Sequence, residues 1–559
     1  MIQRFFALFS TKIESLHNAA YVIAFFALTS QLLGLIRDRL LAHTFGASAS
    51  LDVYYASFRI PDVIFASIAS FVSLFVLIPF LTKRLETDRR DARQFLSEVT
   101  TVFTLFMVGS SAILWFLVPS LSHFLYPGFS INELHVLVSL TRILLLSPIL
   151  LGLSNIVASV TQVTKKFFVY ALSPILYNAG IIVGVVVFYP LFGMSGLTYG
   201  VVLGALLHLG IQIPTLITER LVPQITTSIV WSDIASLVYV SIPRTMALAF
   251  DQIILMILIG IASRFPAGSI TVFTFALNVN LAPLTIIGVS YSVAAFPTLV
   301  HLFSSGKKDV FVEHLLTAVR HILFWSLPAT MLFIVLRAHI VRLLFGSGAF
   351  DWSATRLTAA AMAMLVVSLT AHCIVLLFVR GYYAAGKTAR PFWVNVSTSA
   401  LTLCASYGSV VLYQHVDWVR YFIESLFRVD DVPGTIVIML SLGYSVGMIA
   451  NAIGYVLLFR KDFGGHLPES VYRTFWQSFA ASVIAGASAY ITLRVLEPFV
   501  HLDSFMGVLS QGMSAAFVGF GIYIVILVGL HNQEVAEMWH TLHAKFWREK
   551  TIIPNPEEL

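Results

Sequence analysis

Apolar residues gather into fourteen long runs, separated by short polar segments that are often basic. The runs cover 18–42, 53–82, 94–118, 134–163, 167–189, 195–218, 234–262, 269–300, 311–336, 354–384, 391–414, 436–460, 472–496 and 506–531. Each supplies roughly the 20 mostly apolar residues that a helix needs to cross a bilayer. The polar faces expected of helices buried in a soluble protein are missing. The pattern therefore predicts an all-α polytopic membrane protein with about fourteen transmembrane helices. The first run is too long and too polar-flanked for a cleaved signal peptide.

Composition agrees. Hydrophobic residues make up 58% of the 559 and charged residues only 11%, against about 25% charged in soluble domains. Mean hydropathy is +0.88. Cys373 and Cys404 both sit in apolar runs and give neither a disulfide framework nor metal-ligand spacing. No Ser/His/Asp set, phosphate loop or metal motif appears, so no enzyme activity is expected. The net charge of +6 points to no nucleic acid, because the basic residues lie between apolar runs, where they set topology. With the N-terminus inside, alternate segments collect 20 of the 34 basic residues, among them Lys83, Arg84, Arg89, Arg90, Arg93, Lys165, Lys166, Lys307 and Lys308. The opposite segments hold nine, including Arg37, Arg264, Arg356 and Arg420. An even helix count then places both termini in the cytoplasm.

The chain resembles itself at an offset near 220 residues. LIPFLTKR at 77–84 matches AAFPTLVH at 294–301, and the stretch 127–143 matches 348–364, pairing Phe129 with Phe350. The turn at Lys165–Lys166 matches that at Lys387–Arg390. Six helices per copy is an even number, so both copies face the same way, a parallel repeat about an axis along the membrane normal. The expected division is 1–222 and 223–462 for two six-helix halves around a central cavity, 463–535 for two added helices, and 536–559 for a cytoplasmic tail.

A charge at the bilayer centre costs about 2.5–3.5 kcal/mol on insertion scales, so it normally faces protein or water. Arg37 and Asp38 end the first run; Asp52 opens the second, with Arg59 seven residues on, nearly on the same helical face. Asp62 follows Pro61. The seventh run carries Arg244 and, again seven residues later, Asp251. Arginine grips planar anions such as phosphate through paired hydrogen bonds. The crowding of Arg37, Asp38, Asp52 and Arg59 suggests a cavity for an anionic headgroup, with carboxylates that balance the arginines. Arg142, near the outer interface, and Arg320, near the inner end of its run, read as topology anchors or internal salt bridges. Gly193, Gly196, Gly200 and Gly204 have the small-xxx-small spacing of close helix packing. Residues 415–435 suggest an amphipathic helix on the outer surface.

The stretch LTSQLLGLIRDRLLAHTFGASASLDVYYASFRIPD at 28–62 resembles the N-terminal signature of the MurJ (MviN) flippases, and RGYYAAGKTARP at 380–391 resembles that family's turn before helix 11. The resemblance spans essentially the whole chain. It implies the fold of the multidrug/oligosaccharidyl-lipid/polysaccharide exporter superfamily. It also implies an activity: flipping lipid II, the undecaprenyl-pyrophosphate-linked peptidoglycan precursor, from the inner to the outer leaflet of the bacterial cytoplasmic membrane. Arg37, Asp38 and Asp52 then stand at the family's cavity arginine, its neighbour and its gate aspartate, and Arg59 at a position that is often basic. Membrane lipids, and cell-wall synthesis proteins, are the other partners implied. Coupling is expected from the membrane potential or a sodium ion; some relatives bind sodium in the second half, which makes Asp251, with Asn395, Thr402 or Ser406, the candidate cation site. The two added helices are expected to form a groove for the lipid tail.

The sequence departs from the family pattern where arginines usually stand, at Gln31, at Phe65 and Ala66, and in the eighth run at Asn278; Ser70 and Phe71 replace an acidic residue and glycine. Arg244 is a candidate to restore one of the missing charges. Two other readings accompany lipid II: export of another lipid-linked glycan or a drug-like molecule, and a transport-inactive scaffold for cell-wall enzymes. The topology has a direct test. Reporter fusions within 85–92 and within 420–430 should report opposite sides of the membrane, and same-side signals would end the fourteen-helix reading.

Overall fold

The computed structural model describes residues 16–68, 74–464, 468–500 and 504–546. These form helices without a strand. In chain order they are α1 (Leu16–Phe45), α2 (Ala49–Ser57), α3 (Arg59–Ile68), α4 (Leu74–Thr87), α5 (Arg89–Leu125), α6 (Ile131–Leu144), α7 (Leu146–Val163), α8 (Phe167–Val183), α9 (Tyr189–Phe192), α10 (Met194–Gly210), α11 (Ile213–Thr218) and α12 (Trp231–Ala262). Then come α13 (Ser269–Pro283), α14 (Ser290–Ser304), α15 (Lys308–Val335), α16 (Arg337–Phe345), α17 (Trp352–Val366), α18 (Leu369–Ala384), α19 (Ala389–His415), α20 (Asp417–Phe427), α21 (Val437–Phe463), α22 (Glu469–Leu496), α23 (Phe505–Gly529) and α24 (Gln533–Phe546). Every apolar run of the sequence falls on helix. Among the described residues, ten helices are long and apolar enough to cross a membrane, or eleven if the pair α17–α18, bent by 45°, is one span. Within the second run the helix breaks at Phe58, between α2 and α3, and within the seventh Leu248–Ala262 stands out as a shorter apolar helix.

The chain packs as two compact units. The first takes residues up to Phe275 with Leu344–Ala361 and Asn395–Tyr444; the second takes Ala276–Leu343, Met362–Val394 and Ser445 onward. Their boundaries fall inside α13, α16, α17, α19 and α21, so packing groups the residues differently from the repeat.

In the first unit, apolar side chains of α3, α4, α5, α7 and α12 build one core, with Leu81, Phe95, Met107, Val160 and Leu237 buried in it. Its Lys/Arg-rich end is tied by ion pairs: Arg84 to Asp91 and Asp233, and the buried Lys166 to Glu219 at 3.2 Å. Arg142 lies over the Trp115 ring at 4.0 Å and donates to its carbonyl. The Arg356 guanidinium, donating to Asp431, holds that carboxyl below the usual carboxylate range. Helices α8 and α10 touch backbone to backbone. A Cβ on Gly200 would sit 2.3 Å from Gly184 Cα, and one on Gly180 would sit 2.3 Å from Gly204 Cα.

In the second unit, α14, α15, α18 and α21 share a core around Phe311, Leu315, Phe378, Tyr382 and Tyr455. Helices α22 and α23 pack on α15 through Ala481, Ala485 and Tyr523, whose hydroxyl donates to the Phe324 carbonyl. Arg320 is an internal ion pair: it reaches the buried Glu534 at 3.4 Å, and Thr474 donates to the same carboxylate, docking α24.

The glycine contact predicts a position-specific effect. Overpacking costs about 1–3 kcal/mol where neighbours can yield, and a backbone cannot yield as a side chain does. Gly200→Leu should lower the melting temperature in detergent and reduce the monodisperse fraction. Gly210→Leu, on the same helix with open space around it, should leave both near the parent values.

Candidate functional site

Asp52 sits in the first turn of α2, 4% exposed, and its partners come from a segment more than two hundred residues away. Oδ2 accepts from the Gly268 amide at 2.7 Å; Oδ1 accepts from both the Thr271 amide and the Thr271 hydroxyl, each at 2.7 Å. Gly268 and Thr271 lie at the start of α13. The first N–H groups of a helix have no partner within it, and the dipole favours a negative charge there. Asp52 therefore caps α13 from another part of the chain.

The backbones around this cap meet closely. Gly268 has φ +92°, and a Cβ there would lie 2.5 Å from the Ala47 carbonyl oxygen. Gly348 has φ +59°, and a Cβ there would strike the His43 carbonyl at 2.4 Å; the next amide, of Ala349, donates to that carbonyl at 2.9 Å. Only glycine meets both demands. Gly128 presses likewise on the Ser263 carbonyl. The contacts His43–Gly348 and Ser263–Gly128 are reciprocal: 263 follows 43, and 348 follows 128, by the same 220 residues. The repeat offset read from the sequence thus reappears as a two-fold pair of contacts. Beneath them Phe275 stacks on Phe345 at 4.4 Å, with Phe350 and Tyr55 edge-on.

Arg37, on α1, donates from Nε to Asp38 Oδ1 at 2.8 Å, and its Nη2 also lies 2.8 Å from that oxygen. Nη1 donates to Asn178 Oδ1 at 3.2 Å. Asn178 on α8 is itself oriented by donating to Ser30 and to the Pro174 carbonyl. Asp38 is buried, while a quarter of the Arg37 side chain stays accessible. A guanidinium has five N–H donors in a planar fork, so this arrangement keeps donor capacity for an incoming anion. Nothing in the sequence singled out Asn178, because its role depends on α8 lying beside α1.

Arg59 does not join Asp52. It pairs with Asp62 at 3.7 Å and donates to the Tyr55 carbonyl. Pro61 has no N–H to give to Ser57, so the helical ladder breaks at Phe58 and the seven-residue spacing no longer runs along one continuous helix. Of the four charges, Asp52 goes to the α13 terminus, while Arg37–Asp38 and Arg59–Asp62 form two ion pairs that share Tyr55 and Tyr177 as neighbours.

Of the other candidates, Asp251 lies within electrostatic reach of Tyr444, whose neighbour Gly443 packs on Ser406. Arg244 lies on α12, but its side chain is outside the described residues, as are Ser70 and Phe71. Asn278, half-buried on α13, belongs to the second unit. Gln31 is exposed; Phe65 is partly buried against the core of the first unit and Ala66 is buried. Asp251 is exposed on α12. Thr402 donates to the Thr398 carbonyl, and Ser406 lies where α19 meets α21, so close that a Cβ on Gly443 would stand 2.2 Å from its Cα. Among the described residues no three His, Cys, Asp or Glu side chains gather as a metal site.

The cap on α13 can be measured. Hydrogen bonds to a charged group contribute about 1.5–3 kcal/mol each. In Asp52→Ala, amide exchange at Gly268 and Thr271 should accelerate at least about tenfold, since 1.4 kcal/mol is a factor of ten. Asp52→Asn, with one acceptor oxygen, should fall between. Unchanged exchange in both variants would mean that the carboxylate does not hold these amides.

Comparison with known proteins places this architecture. The family model described as "Lipid II flippase MurJ" matches residues 41–510. The lipid II flippase MurJ of Burkholderia cenocepacia is 24% identical over 413 residues, covering 72% of this chain and 80% of that protein. A probable lipid II flippase MurJ from Thermotoga maritima is 26% identical over 453 residues, covering 78% and 89%. A solved structure described as lipid II flippase MurJ in an inward closed conformation shares the fold with a TM-score of 0.71 at 21% identity, covering 93% of this chain and 99% of that one. An inward-facing multidrug resistance transporter of the MATE family aligns with a TM-score of 0.64 at 15% identity, covering 80% and 96%. The match over residues 41–510 takes in the Asp52 cap, the helices from α2 to α22 and the start of α23, and on it the chain belongs to the lipid II flippase MurJ family.

Proposed function

We propose that this chain flips lipid II from the inner to the outer leaflet of the bacterial cytoplasmic membrane by alternating access, with both termini in the cytoplasm. The observation that carries the reading is the Arg37 guanidinium, held in a defined orientation between Asp38 and Asn178 on membrane helices of a MurJ-family chain. A pyrophosphate must keep its charges compensated while it crosses, because a charge at the bilayer centre is costly. Arg37 offers a planar, permanently charged fork for it. Asp38 balances the arginine, so an arriving anion exchanges one partner for another instead of meeting a bare cation.

The polyprenyl tail needs no polar site. The second unit has an apolar groove of about 770 Å³, lined by residues such as Leu316, Leu323, Ile374, Ile453, Phe475 and Trp476 from α15, α18, α21 and α22. Helix α23 contributes no lining residue, contrary to the expectation that both added helices form the groove; its inner face is used up against α22, where Gly519 meets Ala485. In the alternating-access cycle the Asp52 cap serves as the outer gate, its hydrogen bonds to Gly268 and Thr271 breaking when the gate opens. A cation at Asp251, or the membrane potential, supplies the drive. The chain carries out transport and no covalent chemistry. Because Phe65 and Ala66 pack in apolar surroundings where relatives commonly carry arginine, a glycan lipid with a less charged headgroup is the second reading.

Arg37→Ala should abolish flipping while the protein remains folded in the membrane. It removes a charge-assisted contact of about 1.5–3 kcal/mol and leaves Asp38 buried without its cation. Arg37→Lys should restore activity only in part, because an ammonium cannot reproduce the fork. The measurement is complementation of a strain depleted of its own flippase, with expression-matched variants and an assay of lipid II by leaflet. Normal growth and normal lipid II turnover with both variants would remove Arg37 from substrate binding and favour the second reading.

A further inference from the structure

We propose that α20 lies in the headgroup layer of the bilayer, with Trp418, Phe422 and Leu426 inserted among lipids, and anchors the Asp52 end of the first unit to the membrane surface. The inference is independent of which substrate is transported. The sequence suggested an amphipathic helix here; the structure shows two distinct faces on it. Val419, Ile423 and Glu424 are buried against the protein, and the Glu424 carboxylate accepts from the Tyr413 hydroxyl at 2.6 Å and from Arg420 at 2.9 Å. That face is fully engaged. The neighbouring face carries Trp418, Phe422 and Leu426 at four-residue spacing, 71%, 56% and 52% exposed, with Tyr421 and Ser425 along its edge. Residues four apart lie in one row along a helix, so the three form a continuous apolar ridge with an amphipathic rim.

The flanking spans name the occupant. Helix α19, long and apolar enough to cross the membrane, ends at His415, and only Val416 separates it from α20. The next crossing helix, α21, begins at Val437. One linking residue cannot carry α20 away from the bilayer surface, since a residue spans at most about 3.6 Å. The exposed apolar side chains of α19, Leu401, Tyr407 and Leu412, lead up to it. Tryptophan and tyrosine beside a ridge of Phe and Leu is the composition that settles at the membrane–water interface.

The anchor reaches the gate through a short, braced segment. Arg428 ends α20 in the left-handed region, φ 55°, and its carbonyl accepts from Arg356, which also grips Asp431. Gly434 then lies against Pro266 and Ser269, the turn whose amides Asp52 holds. The capped terminus of α13 is thereby tied to the lipid surface as well as to α2.

The test uses the full chain in vesicles of phosphatidylethanolamine and phosphatidylglycerol. In a Cys404→Ala background, with Cys373 buried and unreactive, a nitroxide is attached at Trp418→Cys, Phe422→Cys, Leu426→Cys or, as control, Asp430→Cys. Collision with oxygen and with a water-soluble nickel chelate reports depth. The first three labels should sit about 5–10 Å below the phosphates, and the label at 430 should be aqueous. All four labels equally open to the nickel chelate would overturn the proposal and assign the ridge to a protein partner. All four sites are exposed, so the labels should not unfold the helix, and an unchanged melting temperature confirms that.

Discussion

One carboxylate organises the closed end of the first unit. Asp52 is buried, with no cation of its own, a situation that normally costs several kcal/mol. Two amides and a hydroxyl at 2.7 Å offset that cost, and the α13 dipole adds to them. The interaction works in both directions: the helix terminus needs an acceptor and the carboxylate needs donors. Glycines at 268 and 348 let the segments approach until backbone meets backbone, and the aromatic cluster of Phe275, Phe345, Phe350 and Tyr55 fills the space beneath. A bond of this kind holds strongly when dry and weakly when wetted, because water competes for the same amides. That is a suitable property for a closure that has to open.

The arginines follow a different rule. Arg37 is paired with Asp38, Arg59 with Asp62, and Arg320 with Glu534, so local charge is nearly neutral wherever a guanidinium is buried. An anion binding to Arg37 therefore competes with a built-in counter-ion. In the function proposed above, that competition limits how tightly a pyrophosphate is held and favours its release on the far side.

The sequence made the helices legible because each apolar run is long, and a membrane leaves no other way to satisfy the backbone. The 220-residue offset was legible too, and it returned in the His43–Gly348 and Ser263–Gly128 contacts. What could not be read was pairing across the chain. Asp52 and Arg59 invite each other by spacing, but Pro61 interrupts the ladder, and Asp52 finds a helix terminus, which has no side-chain signature. Asn178 and Thr271 were missed for the same reason: an amide and a hydroxyl are common in membrane helices, and only their neighbours make them part of a site. Of the two added helices, α22 lines the apolar groove of the second unit, while small residues turn α23 onto α22.

The contact between α8 and α10 has a mechanical consequence. Because Gly180, Gly184, Gly200 and Gly204 bring the two backbones together without intervening side chains, the pair is stiff, with no rotamers to absorb a small displacement. Asn178, which steadies Arg37, sits on that pair. A pull on the guanidinium therefore meets a firm abutment on the α8 side, and the compliance of the site must lie in α1. From Arg37 the chain runs on along α1 to the corner at Gly46, six residues before Asp52.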